Sequence, residues 1–225
     1  MKVQIRARTT PTAEISVGKA NWSGCLSRIL QPPGRCTHSL VSARLGFMAT
    51  GVLFHFSEDP TITRFVPHVP PTNPTHTPAV WAIDVHHAPL YWFPRDCPRV
   101  TVWPRNPSES AVFRDVFATD AARVHAIELT WLGRMRTTQL YRYEFDASAF
   151  VPWALASGQW ITERELEPLR VTPLGDLLDV HVDAGIELRI VRSLWPLHDI
   201  AMSDRWDFSI VRMANAKPRD EPFAS

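Results

Sequence analysis

Glycine is scarce in this sequence, which has nine among its 225 residues. None of them falls in the spacing G-x-G-x-x-G or G-x-x-x-x-G-K-[ST], in which glycine lets the backbone approach a phosphate closely. The sequence also lacks a G-x-S-x-G nucleophile elbow and an H-E-x-x-H zinc motif. These absences exclude the commonest dinucleotide-binding, P-loop, serine-hydrolase and metalloprotease classes.

Cysteine is also rare, and long apolar runs are missing. The three cysteines, Cys25, Cys36 and Cys97, are odd in number, widely spaced and without a C-x-x-C pair. This pattern favours neither a disulfide framework nor a zinc ribbon. No run approaches the roughly 18 apolar residues of a membrane span, and the N-terminus lacks the apolar centre of a secretory signal. We therefore expect a soluble, cytoplasmic protein that does not bind membranes.

Charge is unevenly distributed along the chain. Residues 1–47 hold seven Lys or Arg and one Glu, a net charge of +6, so the rest carries −5 of the total of +1. The same segment is rich in Ser, Thr and Pro and has no helical or strand periodicity. It is predicted to be a disordered extension that follows a mis-assigned start, with an organelle transit peptide as the alternative. The acidic remainder does not favour nucleic-acid binding, and the composition does not identify a protein partner.

Hydrophobic periodicity changes at residue 48. Alternating side chains predict strands at residues 52–57, 139–145, 159–163 and 186–190. Short, largely apolar segments predict further strands at residues 80–83, 99–103, 124–129, 169–172 and 208–213. Helices are predicted at residues 87–93, 108–117, 172–185 and 195–202, the third with Thr172 as its cap and Pro173 in its first turn. Because strands outnumber helices and do not alternate with them, the prediction is an α+β fold with a mixed, largely antiparallel sheet and short peripheral helices. One domain is expected over residues 48–216, followed by a flexible tail at 217–225.

Proline is concentrated between residues 60 and 78, where six prolines occur. Such density is incompatible with a helix interior or a central strand, so a long extended loop is predicted. One functional hypothesis is therefore a non-catalytic interaction module in which this loop docks a partner.

Several ordered sequence words carry a family resemblance. They are LFHFSEDPTITRF at 53–65, VWAID at 80–84, PRDCPRVTV at 94–102, and the later words IELRIVRSLWPLHD and FSIVRMANA. Together they resemble a family of uncharacterised bacterial proteins known as a domain of unknown function, over residues 53–216. The resemblance implies no particular chemistry.

A more distant resemblance suggests a function. A first strand with H-x-[FT]-S, a V-[WF]-A strand before a helix and a later [WY]-[IV]-[ST] strand are similar to the ADP-ribosyltransferase-like fold, a split β-sandwich. In that fold a His or Arg of the first strand holds the ribose or phosphate of NAD, an aromatic ring stacks on nicotinamide, and a Glu binds the ribose. The resemblance implies a cofactor-binding set of His55, Ser57, Trp81, Tyr91 and Gln159. It implies NAD as a substrate and no permanently bound cofactor.

The sequence departs from that pattern at the acidic position. Cleavage of the bond between nicotinamide and ribose passes through an oxocarbenium-like state that a carboxylate stabilises. Gln159 stands before Trp160 where an acid is expected, and its amide carries no charge. Glu163 shares a strand face with Gln159, so Glu163 and His55 are the predicted catalytic residues. The hypothesis is a nucleotide-binding protein with weak, altered or no transferase activity, and it requires His55 and Glu163 to meet in one cleft.

Other side chains have functional alternatives. Asp84, His86 and His87 could contribute to a metal-dependent hydrolase, but a full ligand set is missing and no metal site is predicted. Cys97 lies close in sequence to Arg95 and Arg99, whose charges would lower the pKa of a nucleophilic thiol. His181 lies on the apolar face of its predicted helix and is expected in the core.

Overall fold

The computed structural model describes residues 4–5, 51–69, 76–203 and 205–219. Most of the predicted N-terminal extension therefore lies outside the described residues. Its exception is the two-residue strand β1, Gln4–Ile5, which pairs with the last strand of the domain. The described ranges contain no helix with the length and apolar character of a membrane span.

The described residues form eleven strands and four short α-helices, which confirms the predicted α+β class. The strands after β1 are β2 Val52–Ser57, β3 Val80–Ile83, β4 Arg99–Pro104, β5 Val124–Glu128, β6 Tyr141–Asp146, β7 Val151–Pro152, β8 Gln159–Thr162, β9 Arg170–Pro173, β10 Glu187–Val191 and β11 Trp206–Val211. The helices are α1 Ser110–Phe117, α2 Leu132–Thr137, α3 Leu177–Asp183 and α4 Trp195–Ala201. A 3-10 turn, Ala88–Tyr91, occupies the predicted helix at 87–93.

The strands are arranged in two sheets. One has five strands in the order β1-β11-β4-β5-β10, and the other has six in the order β7-β8-β3-β2-β6-β9. Strand pairing is antiparallel except between β5 and β10, which run parallel. The predicted mixed, largely antiparallel arrangement is therefore confirmed.

One face of the five-stranded sheet packs against α1 and α4. Phe113 and Phe117 of α1 contact Trp206 of β11, with ring centroids 5.4 and 5.5 Å from its indole. Such edge-on aromatic pairs add to the burial of apolar area. Val112 and Val116, two further apolar residues of this helix, are 36% and 47% exposed. The buried stripe of α1 is thus narrower than its sequence suggests.

The six-stranded sheet is buried on both faces. On one face, Leu53 of β2 and Phe145 of β6 pack with Phe65 from the proline-rich loop. On the other face, Phe54 packs with Ile83 and with Ala88 from the 3-10 turn. Phe56, on the same face as Phe54, also packs against the cluster that contains Ile127 of β5, and so links the two sheets.

Helix α3 begins later than the sequence predicts. Pro173, expected in the first helical turn, is the last residue of edge strand β9 and pairs with Tyr141. Proline is tolerated at an edge because its missing N–H leaves no ladder hydrogen bond unmade there. The true N-cap is Asp176, whose Oδ1 accepts hydrogen bonds from the backbone N–H groups of Leu178 and Asp179 at 2.7 and 3.3 Å.

The beginning of the predicted C-terminal tail is attached to the domain. The backbone N–H of Lys217 donates to the buried Glu128 carboxylate at 3.0 Å, and Arg219 forms an ion pair with Asp199 at 2.9 Å. The domain therefore reaches at least Arg219, and residues 220–225 lie outside the described residues.

Candidate ligand-binding groove

The strand register decides which predicted site residues can meet. Phe54 lies opposite Ile83, and Ile83 lies opposite Gln159. Directly paired residues share a sheet face, so Gln159 lies on the same face as Phe54. His55 follows Phe54 in β2 and therefore lies on the opposite face. Glu163 follows the end of β8 and is exposed. The register therefore separates His55 from Gln159, which corrects the single binding surface expected for these two residues. It does not fix the face of Glu163, so the meeting of His55 and Glu163 in one cleft stays a prediction.

His55 instead lies against the proline-rich loop. Its Nδ1 donates to the carbonyl oxygen of Trp81 at 3.0 Å, and its ring meets Phe65 edge-on at 5.1 Å. Burial lowers the pKa of His55, and the hydrogen bond to the Trp81 carbonyl opposes this in part. Ser57, on the same face, accepts a hydrogen bond from the backbone N–H of Asp59 at 3.1 Å. Both side chains contact protein groups of the loop and the sheet.

The described part of the proline-rich loop packs onto the sheet. The backbone N–H of Phe65 donates to the carbonyl oxygen of Leu166 at 2.8 Å, and the reverse bond measures 3.1 Å. Tyr143 donates its hydroxyl hydrogen to the carbonyl oxygen of Asp59 at 2.5 Å. The interaction-module hypothesis stays a prediction, and residues 70–75 of the loop lie outside the described residues.

Three of the predicted binding residues do share one face. Gln159 Nε2 donates to the Tyr91 hydroxyl oxygen at 3.0 Å. Tyr91 stacks on Phe56 with centroids 6.4 Å apart and an interplanar angle of 6°. Trp81 pairs with Ile161 and so lies on the same face as Gln159. Burial raises the pKa of Tyr91, so its hydroxyl is protonated at neutral pH.

A groove of about 270 Å³ opens beside this pair, at the turn that joins β7 to β8. Asp84, Trp153, Gln159 and Trp160 line it. Gln159 is only 7% exposed, and the side chain of Trp160 packs with Leu53 on the opposite face of the sheet. Trp153 is held by an edge-on contact with Trp81, with centroids 4.8 Å apart. We call this site the Asp84–Gln159 groove.

Asp84 is fixed at the groove by its neighbours. Its Oδ1 accepts hydrogen bonds from the backbone N–H and from Nδ1 of His87, each at 2.8 Å. The backbone N–H of Asp84 donates to the carbonyl oxygen of Gly158 at 2.9 Å. Burial alone would raise the pKa of Asp84, but the hydrogen bonds and charge of His87 outweigh it and hold that pKa below its usual value. From the sequence, Asp84 was considered only as a metal ligand. Its position directly after strand β3, in the word VWAID, was the feature that could have indicated a groove residue.

Gly158 allows the close contact between the groove turn and His87. Its φ of +78° is in the region that favours glycine. A Cβ at this position would lie 2.1 Å from Nδ1 and 2.3 Å from Cγ of His87, well inside van der Waals contact. Any larger residue would displace the imidazole that holds Asp84.

Arg123 adds a cation near Asp84. Its guanidinium lies over the Trp103 ring at 4.7 Å and donates to the carbonyl oxygen of His86 at 3.2 Å. Burial lowers the pKa of Arg123 to about 10, with Asp84 opposing the shift, so the side chain remains charged at neutral pH.

Comparison with known families places the chain. A family model, described as a family of unknown function, DUF6886, matches residues 54–216. The chain belongs to this family. No curated protein and no solved structure matches it. The match covers every strand from β3 to β11 and every residue of the Asp84–Gln159 groove.

The nucleophile alternative is wrong for Cys97. This thiol is fully buried, and burial raises its pKa to about 12. Arg99 and Arg134 lower the pKa by less than burial raises it, so the thiolate is not populated at neutral pH. Cys97 packs with Phe93 and Leu177 as a core residue of this DUF6886 domain.

Histidines form one buried pair elsewhere in the domain. His181, confirmed in the core, meets His125 with Nε2 and Nδ1 3.1 Å apart. Burial lowers the pKa of each, and the charge of His181 acts in the same direction on His125. Within the described ranges, no three or more His, Cys, Asp or Glu side chains are placed to hold a metal ion.

Proposed function

We propose that this protein binds a nucleoside-containing ligand in the Asp84–Gln159 groove, with NAD as the first candidate. The proposal includes an ADP-ribosyltransferase-like split β-sandwich, supported by the ordered strand words and the two mostly antiparallel sheets. The observation that carries the binding proposal is the hydrogen bond from Gln159 to Tyr91 at a groove that Asp84 and Trp153 also line.

Hydrogen-bonding capacity at the groove matches a ribose. Because Nε2 of Gln159 donates to Tyr91, the amide oxygen is the group of Gln159 that remains to accept from a ligand. Both hydrogen bonds from His87 fall on Oδ1 of Asp84, so Oδ2 offers a second acceptor. Neighbouring ribose hydroxyls supply two donors to such a pair of oxygens. The indole of Trp153 provides a surface on which a base or nicotinamide ring stacks.

The charges beside the groove favour the nucleoside part of a dinucleotide. Arg123 and Asp84 interact electrostatically and offset each other. A groove with balanced charge selects for the sugar and the ring more than for the phosphates. We therefore expect adenosine or nicotinamide riboside to retain much of the affinity of NAD.

Isothermal titration tests this with NAD, ADP-ribose, nicotinamide riboside and adenosine as ligands. Gln159→Leu keeps a side chain of similar size but removes the acceptor oxygen. It is expected to weaken binding by about 2- to 12-fold, since one hydrogen bond contributes about 0.5–1.5 kcal/mol. Trp153→Ala is expected to weaken it by about 5- to 150-fold, from 1–3 kcal/mol for stacking. Asp115→Asn, on the exposed side of α1, is the control and should bind as the wild type does.

Two results would refute the site. Wild-type protein that gives no heat with any of the four ligands contradicts nucleoside binding altogether. Wild-type affinity in Gln159→Leu and Trp153→Ala, combined with a loss in His55→Ala or Glu163→Gln, would instead return the site to the residues first predicted. Near-ultraviolet circular dichroism of each variant checks that the fold is retained.

A further inference from the structure

We propose that residues 220–225 of this chain dock in a second groove, which lies between the end of β10 and α4. This groove has a volume of about 510 Å³. Its walls are Arg189, Val191 and Arg192 on the strand side and Pro196, Leu197 and Ile200 on the helix side. None of these residues lines the Asp84–Gln159 groove, so the inference is independent of nucleoside binding. We call this site the Arg192–Ile200 groove.

The helix wall of the groove exposes apolar surface. Pro196 and Ile200 are four residues apart and are therefore neighbours on one side of α4. Pro196 is exposed, and Ile200 is 42% exposed. Leu197 beside them belongs to the buried core of the five-stranded sheet. An apolar side chain that covers Pro196 and Ile200 would remove their surface from water, which is favourable.

The strand wall carries a cation that is not neutralised by any described residue. Arg189 is already paired, since its Nε donates to Glu187 at 2.7 Å and its Nη2 donates to the carbonyl oxygen of Phe117. Arg192 is exposed, and its side chain has no ion pair or hydrogen bond with a described residue. The groove therefore fits an acidic segment that also carries a large apolar side chain.

Residues 220–225 have this composition. They read Asp-Glu-Pro-Phe-Ala-Ser, with two acids, one aromatic ring and no basic residue. The other longer segments outside the described residues do not match the groove. Residues 6–50 hold six Lys or Arg and one Glu, and residues 70–75 hold no charged residue. Charge complementarity with Arg192 therefore selects residues 220–225.

The last described residues lead the chain onto α4. Nε1 of Trp195 donates to the carbonyl oxygen of Lys217 at 2.8 Å. Two residues later, the guanidinium of Arg219 donates to both carboxylate oxygens of Asp199 at 2.9 and 3.0 Å, and it lies over the Trp195 ring at 4.6 Å. Each of these two helix residues directly precedes one of the exposed apolar residues of the groove wall. Residue 220 therefore begins beside the groove.

The remaining distance is within reach of the segment. Consecutive residues of a helix are about 100° apart, which corresponds to roughly 9–10 Å along the surface of a helix about 10–12 Å across. Four extended residues span about 13–14 Å, so Phe223 reaches the helix wall from Arg219. In the docked segment, Phe223 covers Ile200, and Glu221 pairs with Arg192.

Nuclear Overhauser effects in the full chain test the contact directly. A chain labelled in its Phe rings and Ile methyl groups should show a contact between Phe223 and Ile200, assigned with Phe223→Leu and Ile200→Val. The undocked reference is a chain in which Asp220, Glu221 and Phe223 are all replaced by serine. Phe223→Ala should lower the ratio of docked to undocked segments at least about tenfold, read from the chemical shift of the Ile200 methyl group.

Charge reversal tests the second half of the proposal. Arg192→Glu should lower the same ratio by about 2- to 5-fold, and Glu221→Arg in that background should restore it. Arg136→Glu, which changes an exposed arginine of α2, is the matched control and should leave the ratio unchanged. Near-ultraviolet circular dichroism checks that each variant keeps its fold.

The possible results separate docking within one chain from the alternatives. An Ile200 methyl shift that is the same in the wild type and the undocked reference, without a contact to Phe223, overturns the proposal. Failure of Glu221→Arg to compensate Arg192→Glu overturns the pairing of these two residues. In a mixture of labelled and unlabelled protein, a contact formed only between different molecules would show that a second copy occupies the groove, which also overturns it.

Discussion

Gly158→Ala tests whether the groove turn and His87 are coupled as the structure shows. At a φ of +78° an alanine costs about 1–2 kcal/mol in backbone strain. Its Cβ would also lie 2.1 Å from Nδ1 of His87, at the base of the ring, so the imidazole must move. That movement breaks the hydrogen bond of His87 to the Asp84 carboxylate, worth about 1.5–3 kcal/mol. The free energy of unfolding should fall by about 2.5–5 kcal/mol.

Gly175→Ala is the matched control. Gly175 has a φ of +88°, but a Cβ there would meet nothing within 4 Å. This variant should therefore lose only the backbone contribution, about 1–2 kcal/mol. Urea unfolding followed by circular dichroism measures both variants, and the slope of the free energy against urea should remain unchanged.

The double variant His87→Gly with Gly158→Ala isolates the steric part. With the whole His87 side chain removed, including the Cβ that would lie 2.8 Å from the new methyl group, Gly158→Ala should cost no more than Gly175→Ala. Equal losses for Gly158→Ala and Gly175→Ala in the wild-type background would show that His87 does not pack against the turn. That result would refute the arrangement that holds Asp84 at the groove.

Two further predictions concern buried titratable groups. The first uses a variant in which Cys25 and Cys36 are replaced by serine. Because burial raises the pKa of Cys97 to about 12, its thiol should not react with a thiol reagent at pH 8 until the protein unfolds. Rapid labelling of the native protein would contradict this. His125 and His181 have folded-state pKa values below the ordinary 6.5, so below that pH the unfolded chain binds more protons than the folded chain. Their contribution to the free energy of unfolding should be fully present above about pH 6.5 and be lost as the pH falls below it. Each histidine should lower the free energy of unfolding by at most about 1.4 kcal/mol per pH unit. In urea unfolding between pH 6.5 and 5, His181→Gln should make the free energy of unfolding less dependent on pH, and an unchanged pH dependence would contradict this.

Local patterning predicts most strands of this domain because a half-buried strand has a side-chain period of two. The patterns at residues 52–57 and 139–145, for example, correspond to Val52–Ser57 and Tyr141–Asp146. Clusters of proline likewise predict the loop that carries Phe65, since proline excludes both helix interior and central strand. The predicted start of α3 was wrong, because a Thr-Pro pair is equally compatible with the end of an edge strand.

The sequence also identified one groove residue, Gln159, and two residues on the same sheet face. It singled out Trp81, Tyr91 and Gln159, which the structure places on one face of the sheet. It paired them with His55, which lies on the other face, and with Glu163, which lies beyond the end of β8. Side-chain alternation predicts which residues of one strand share a face. It does not predict which residues of the neighbouring strand lie on that same face of the sheet.

What the sequence determined by itself was the α+β class, the two-residue rhythm of its strands and the membership of the chain in its family. Tertiary structure alone decided the face on which each strand alternation falls, because pairing Phe54 with Ile83 and Ile83 with Gln159 is a long-range choice. It also decided that Asp84 reaches the groove, since one of the hydrogen bonds that hold it is made to Gly158, more than 70 residues further along the chain. A shift of one residue in that register would exchange the two faces, and with them the side chains available to a ligand.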